Sequence, residues 1–458
     1  MKGRNLLLMF LVFILLGGYV YLVEIKQHEK KQKAEEAAAK LFDFVKDSLA
    51  TVEIVKAKDH IVVAKTESGW KIIQPLETDA DESVMNTLLN NLKDAKKEQE
   101  FEVKPGEWAS YGLGNRGIKV KLTFRDGRTD SAFFGDPTPV GSNAFAAKDS
   151  THVFTVKNYI KSSVDKNLFA LRDKRYLRFK RDQVQKIVLI RGKEKIELEK
   201  SGPNEWRLVN LDRPADGGKI GALLSKLEFN RTKGFVDEEG KQLRKYGLEP
   251  PAYKVELYLG PERAKQVLRI SKKLHGKYYA WDESRKPIFE LDEAVVTDIS
   301  RPLNEYRNKD FAKVDREKVN RIEILYGDTS LVCTQDSLEK EWYLQQKPEP
   351  ARVKKAKIST FLSNLDFKTI REFVSDNPTN LARYGLEKPR LVVRLFNNKD
   401  LLLEARFGKV KDKKVYAMTN QYNSVYLIDA VALKQLKLKA DDIIDRLTHL
   451  ETGKQKSS

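Results

Sequence analysis

Three of the five tryptophans in this 458-residue chain, Trp70, Trp206 and Trp342, are spaced 136 residues apart in both intervals. The tripeptide Tyr-Gly-Leu occurs at Tyr111, Tyr246 and Tyr384, which is 41, 40 and 42 residues after those tryptophans. Coinciding markers at a fixed period signal an internal repeat, and a repeat constrains the fold more than any other feature here. Further elements keep the same phase. Ahead of each tryptophan stands an apolar strand candidate: Val52 to Val55, Ile187 to Ile190 and Ile322 to Leu325. After it come Ala80-Asp81, Ala215-Asp216 and Ala351-Arg352 in matching places, then a helical pattern. Val84, Leu88, Leu89 and Leu92 form one apolar stripe, Ile220, Leu223, Leu224 and Leu227 the second, and Ile358, Phe361, Leu362 and Leu365 the third. Past each Tyr-Gly-Leu the pattern alternates, as in the runs starting at Ile118, Tyr253 and Leu391, which predicts half-buried strands.

Each copy is about 135 residues long, enough to bury its own core. Strands, a helix, more strands and a closing helix predict an α+β unit, a mostly antiparallel sheet with helices on one side. The predicted division is 50–174 for repeat 1, 175–310 for repeat 2, 311–447 for repeat 3 and 448–458 for a flexible tail. The joins are short and contain no Gly/Ser-rich linker.

The front of the chain is different. After Lys2 and Arg4 comes the uncharged run Leu6 to Val23, whose eighteen residues would reach about 27 Å as a helix, roughly one hydrocarbon core. No clear A-x-A cleavage site follows, so residues 1–23 are expected to form a cytoplasmic tip and one uncleaved transmembrane helix, with Tyr19 and Tyr21 at the headgroups. The basic tip favours a cytoplasmic N-terminus and an extracytoplasmic body. Residues 24–49, rich in Lys, Glu and Ala and free of Gly and Pro, predict a charged helical stalk.

No constellation for catalysis, cofactor or metal emerges. Gly112, Gly114 and Gly117 spell G-x-G-x-x-G, but that fingerprint needs a strand before it and a helix after it. Here a strand follows, so the motif reads as a turn. Gly112, Gly247 and Gly385 are expected to supply an unusual backbone angle, with Tyr111, Tyr246 and Tyr384 as anchors beside them. The repeated tryptophans read as buried anchors. His28, His60, His152, His275 and His449 share no metal-ligand spacing. Asp79 with Asp81, and Asp441 with Asp442 and Asp445, lie where helix capping accounts for them. The single cysteine, Cys333, excludes an internal disulfide and reads as a small hydrophobe. A net charge of +19 predicts attraction to anionic surfaces.

The N-terminal anchor, the stretch from Trp70 to Pro75, the Ala-Asp pairs before a helix, Tyr-Gly-Leu with prolines, and the strand ends Phe134-Gly135 and Phe407-Gly408 together resemble a bacterial domain-of-unknown-function family. The resemblance covers roughly residues 50 to 446 in tandem copies, and Ile270-Ser271 departs from it in the middle copy. That family is associated with gliding-motility-type ABC transport systems. The resemblance implies a single-pass protein of the bacterial inner membrane with a periplasmic body, acting as accessory or scaffold beside an ABC permease and ATPase. It brings no catalytic residues, and a non-enzymatic role is expected. The alternative is an electrostatic binder of anionic envelope polymer or lipid headgroups. Nucleic acid is disfavoured, because the anchor places the body outside the cytoplasm.

Overall fold

A computed structural model of the chain describes residues 2–19, 21, 26–104 and 106–445. Two compact units are distinguished, Met1–Arg175 and Tyr176–Ser458; the first holds one sheet and the second holds two.

In the first unit, helix α1 spans Lys2–Tyr19. Its first turn is polar, so only the fourteen residues from Leu6 onward are apolar, about 21 Å of helix. No helix among the described residues is long and apolar enough to cross a membrane. The expected anchor continues to Val23 in the sequence, but Val20 and residues 22–25 lie outside the described ones. Helix α2 spans Lys26–Ala39 and ends ten residues short of the expected stalk end. The reason is hydrophobic: Leu41, Phe42 and Phe44 are buried in the core of repeat 1. Tyr176, Leu177 and Phe179 open repeat 2 in the same way, and Phe311 and Ala312 open repeat 3. The first folded repeat therefore begins near residue 40, and its lead-in is core rather than stalk.

Repeat 1 contains nine strands: β1 Leu49–Lys56, β2 Asp59–Thr66, β3 Gly69–Gln74, β4 Thr78–Asp79, β5 Glu100–Glu102, β6 Ile118–Phe124, β7 Thr129–Pro137, β8 Asn143–Ala147 and β9 His152–Lys157. They form one antiparallel sheet in the order β4-β3-β2-β1-β6-β7-β8-β9-β5. Ile54 lies opposite Ile61 on one side and Val120 on the other. Alternation puts Val52, Ile54, Val120 and Leu122 on the core face and leaves Glu53 and Lys121 on the back. Helix α3 (Glu82–Lys93) covers the core face with Met85, Leu88, Leu89 and Leu92. It packs with α4 (Asn158–Val164) and α5 (Leu168–Leu171).

In the second unit, two more nine-stranded sheets repeat that order over 184–291 and 321–429. Helices α6 (Gly217–Phe229) and α7 (Glu293–Ile299) cover one of them. Helices α8 (Lys355–Asp366), α9 (Val431–Leu436) and α10 (Ala440–Ile443) cover the other. Three nine-stranded antiparallel sheets, each with helices over its core face, are the architecture.

One internal match needs correction. Trp206 pairs with Ala215, and Trp342 pairs with Val353 rather than Ala351. The third copy therefore carries two more residues in this loop than the second and one more than the first. Asp81 and Asp216 cap α3 and α6, accepting backbone N–H bonds from Ser83, Val84 and Lys219. Lys354, not Arg352, stands at the third cap, and its side chain makes no capping bond.

Candidate functional site

The repeated motifs build the fold. Trp70, Trp206 and Trp342 are 4%, 7% and 4% exposed and belong to three separate cores. Gly112, Gly247 and Gly385 have φ of 71°, 66° and 69°, a left-handed angle that suits glycine. Around each, the leucine N–H reaches back five residues and the glycine N–H three: Leu113 to Trp108 and Gly112 to Ala109, Leu248 to Leu243 and Gly247 to Arg244, Leu386 to Leu381 and Gly385 to Ala382. That is a Schellman closure. The tyrosine rings then lie on aromatic neighbours on the back of the sheet: Tyr111 on Phe145 at 5.0 Å, Tyr246 on Tyr279 at 5.0 Å, Tyr384 on Tyr416 at 5.1 Å. In the G-x-G-x-x-G stretch, Gly117 leads straight into β6, a strand where a nucleotide site would need a helix. Cys333 is 1% exposed, and burial pushes its thiol up to about 12.

What the motifs do not predict is a recess within the second unit, where repeat 2 meets repeat 3. The linker 306–311 is stitched to both. On one side Asp216 N–H donates to the Tyr306 carbonyl at 2.7 Å, and Asn308 N–H donates to Pro214 at 3.0 Å. On the other, Ile370 N–H donates to Lys309 at 2.7 Å, and Phe311 N–H donates to Lys368 at 2.9 Å. Arg307, 2% exposed, grips Asp376 of repeat 3 through both terminal nitrogens at 2.9 and 2.8 Å, and its guanidinium lies 3.7 Å from the Phe373 ring centroid. Burial alone would raise the Asp376 carboxyl, but Arg307 and the Ser424 hydroxyl at 2.8 Å hold it below its ordinary value. The same Ser424 oxygen accepts from Arg213 at 3.3 Å, and Arg213 stacks 5.0 Å from the Tyr422 ring. Burial raises the hydroxyls of Tyr422 and Tyr426. Arg213, Arg307, Phe373, Tyr422 and Tyr426 line a cleft of about 790 Å³ together with Trp206 and the ion pairs Glu205–Lys313 and Arg207–Asp212.

Residues 70–212, 206–374 and 346–451 each match the family described as Domain of unknown function (DUF4340). The chain belongs to this family. The DUF4340 matches start at or near the repeated tryptophans and the first runs past residue 175, so they cut the array at a different phase from the folded units. No curated protein matches the sequence. Among solved structures, a DNA polymerase sliding clamp from Pseudomonas aeruginosa, determined with ligand, is 8% identical over 86% of this chain and 95% of the clamp. Its TM-score of 0.16 carries no argument.

On the back of each DUF4340 sheet, cations and acids interleave. Glu53 meets His60 at 2.8 Å in repeat 1. Glu256, 6% exposed in repeat 2, takes Lys254 at 2.8 Å, Lys265 at 2.9 Å and the Tyr258 hydroxyl at 3.0 Å. Glu404 takes Arg394 and Arg406 at 2.6 Å each in repeat 3. Among the described residues, no group of three or more His, Cys, Asp or Glu could hold a metal ion. Linear spacing could not reveal the cleft, since Arg307 and Asp376 lie 69 residues apart in different copies.

Proposed function

We propose that the protein is a membrane-anchored tandem-repeat binding scaffold of the bacterial inner membrane, with its body outside the cytoplasm, acting as an accessory component of an ABC transport complex. The observation that carries this reading is the uncharged run Leu6 to Val23 ahead of an array whose signature residues are spent on packing. Among the described side chains of α1, Met9 is 74%, Phe10 68% and Phe13 77% exposed. Surface of that kind calls for an apolar partner. Confinement at the bilayer raises the effective concentration of the repeats toward integral-membrane partners without any new contact. Binding rather than catalysis is the role assigned to the body.

Extraction and crosslinking test this. After alkaline carbonate treatment the full chain should remain in the membrane pellet, and Leu11→Arg with Phe13→Arg should release it. Detergent-solubilised, crosslinked full chain should recover a transporter permease and ATPase together. A soluble wild-type chain, or one recovered alone, would overturn the respective half of the proposal.

The +19 charge favours a second reading, anionic polymer or headgroup binding. Such retention must fall steeply with salt, whereas docking through apolar surface persists. The interleaved acids on the sheet backs speak for the protein partner, because they neutralise the lysines locally.

A further inference from the structure

We infer that the cleft between repeats 2 and 3 binds a small organic carboxylate through Arg213. The inference is independent of the anchor and of any transport partner.

The junction contains two guanidiniums and one partly exposed acid, Asp376. Arg307 and Asp376 satisfy each other in a two-pronged pair. Arg213 hydrogen-bonds only to neutral oxygens: the carbonyls of Leu211 at 3.3 Å and Asp212 at 3.1 Å, and the Ser424 hydroxyl at 3.3 Å. Its Nε, like that of Arg307, is buried and has no acceptor among the described residues. Asp376 feels its charge but is already held by Arg307, so two guanidiniums share one carboxylate. A partly buried charge so incompletely countered is costly, and a carboxylate offering two oxygens is the partner that a guanidinium fork fits. The nearby acids do not serve. Asp212 is held by Arg207 at 2.7 Å, Glu205 by Lys313 at 3.0 Å, and Asp310 is exposed at the rim, where water screens it.

The repeat gives an independent reason. Arg213 pairs with Leu208 across an edge hairpin, and the equivalent positions, opposite Ile72 and Leu344, hold Thr78 and Ala351. The same fold is thus built twice without an arginine there. Helix packing, sheet register and linker stitching do not require it, so its charge serves something else. A volume of about 790 Å³ lies within the usual range for small-molecule sites, and Trp206, Phe373 and Ile370 give the walls an apolar character suited to the body of such an acid.

The test uses benzoate as probe and benzamide as its neutral counterpart, each titrated into the detergent-solubilised full chain by saturation-transfer NMR. Benzoate should bind at least about tenfold more tightly than benzamide, and it should shift an arginine Nε–H resonance that is missing from the Arg213→Met variant. That variant should lose the preference while keeping its circular dichroism spectrum, since Thr and Ala serve at the matching positions. Arg213→Lys, with charge but no fork, should retain only part of it. Equal binding of the two probes, no benzoate binding at all, or full preference in Arg213→Met would each overturn the inference.

Discussion

At the scale of single residues, the repeats show which positions are fixed by contact and which by habit. A Cβ on Gly135 would stand 2.1 Å from the Tyr111 carbonyl oxygen, and one on Gly408 would stand 2.2 Å from that of Tyr384. Both obstacles are backbone and cannot swing aside. The middle copy solves the problem differently: Ser271 is fully buried, its hydroxyl accepts from Tyr279 N–H at 3.0 Å, and its Cβ lies 3.5 Å from the position a Cβ on Gly247 would take. Gly408→Ala should therefore cost about 3 kcal/mol or more, while Ser271→Gly, which loses the bond from Tyr279 N–H and the bond its hydroxyl donates to the Lys272 carbonyl and gains chain entropy, should cost about 2 kcal/mol. Denaturant titration of the two variants reads the difference, and equal costs would refute the backbone clash. Helix caps give a second comparison. Asp81→Ala and Asp216→Ala should each cost about 1 kcal/mol, and Lys354→Asp should gain up to about 1 kcal/mol by supplying the bond that α8 lacks. A destabilised Lys354→Asp would show that the lysine does something other than start a helix.

At the scale of elements, the sheet backs store electrostatic stability with a defined pH dependence. Burial raises the Glu256 carboxyl, but the two lysines and Tyr258 more than reverse this and hold it at about 2, against an ordinary value of 4.5. A depressed carboxyl stabilises the fold fully above its unfolded value and loses that contribution as pH falls through the folded one. Repeat 2 should therefore weaken between about pH 4.5 and 2. Glu256→Gln should cost on the order of 2–3 kcal/mol at pH 7, and its difference from wild type should vanish near pH 2. A difference independent of pH would assign the effect to packing. The elements themselves are largely legible in the sequence. Helical stripes such as Ile220, Leu223, Leu224 and Leu227 and alternating strands such as Ile118–Phe124 are local, and local periodicity survives folding. Leu41, Phe42 and Phe44 are harder to place, because they follow directly on a charged helical run and their core lies in strands further along. The two-residue shift that puts Lys354 at the third cap is invisible to spacing alone, since only the Trp342–Val353 pairing reveals it. The cleft is beyond sequence reading altogether, because its walls come from two copies.

At the scale of the whole molecule, the described flanks of the first and third repeats carry the same backbone stitches as the junction between the second and third. The end of α2 docks on repeat 1 through the same stitch that a linker makes with repeat 3: Leu41 N–H donates to Ala95 at 2.8 Å and Lys97 N–H to Ala39 at 2.6 Å. This covers an edge that would otherwise offer free pairing groups. At the other end Lys354 N–H donates to Ile443 and Asp445 N–H to Arg352, both at 2.8 Å. Bridge pairings put Ile444, opposite Val353, where Arg307 stands opposite Ala215. An isoleucine there packs against its own core and cannot reach for a following acid. One side chain thus distinguishes the junction of repeats 2 and 3 from the matching position in repeat 3. Arg307 is the junction form, and breaking its pair from one side strands the partly exposed Asp376, at about 2–3 kcal/mol. Repeats 2 and 3 should unfold in one calorimetric transition in the wild type, and Arg307→Met should split it and expose the linker 306–311 to protease. Adding Asp376→Asn removes the stranded acid and should restore part of the loss, so the double variant should be less unstable than the sum of the singles. Strict additivity, with the transition unsplit, would mean that the backbone stitches alone hold the two repeats together.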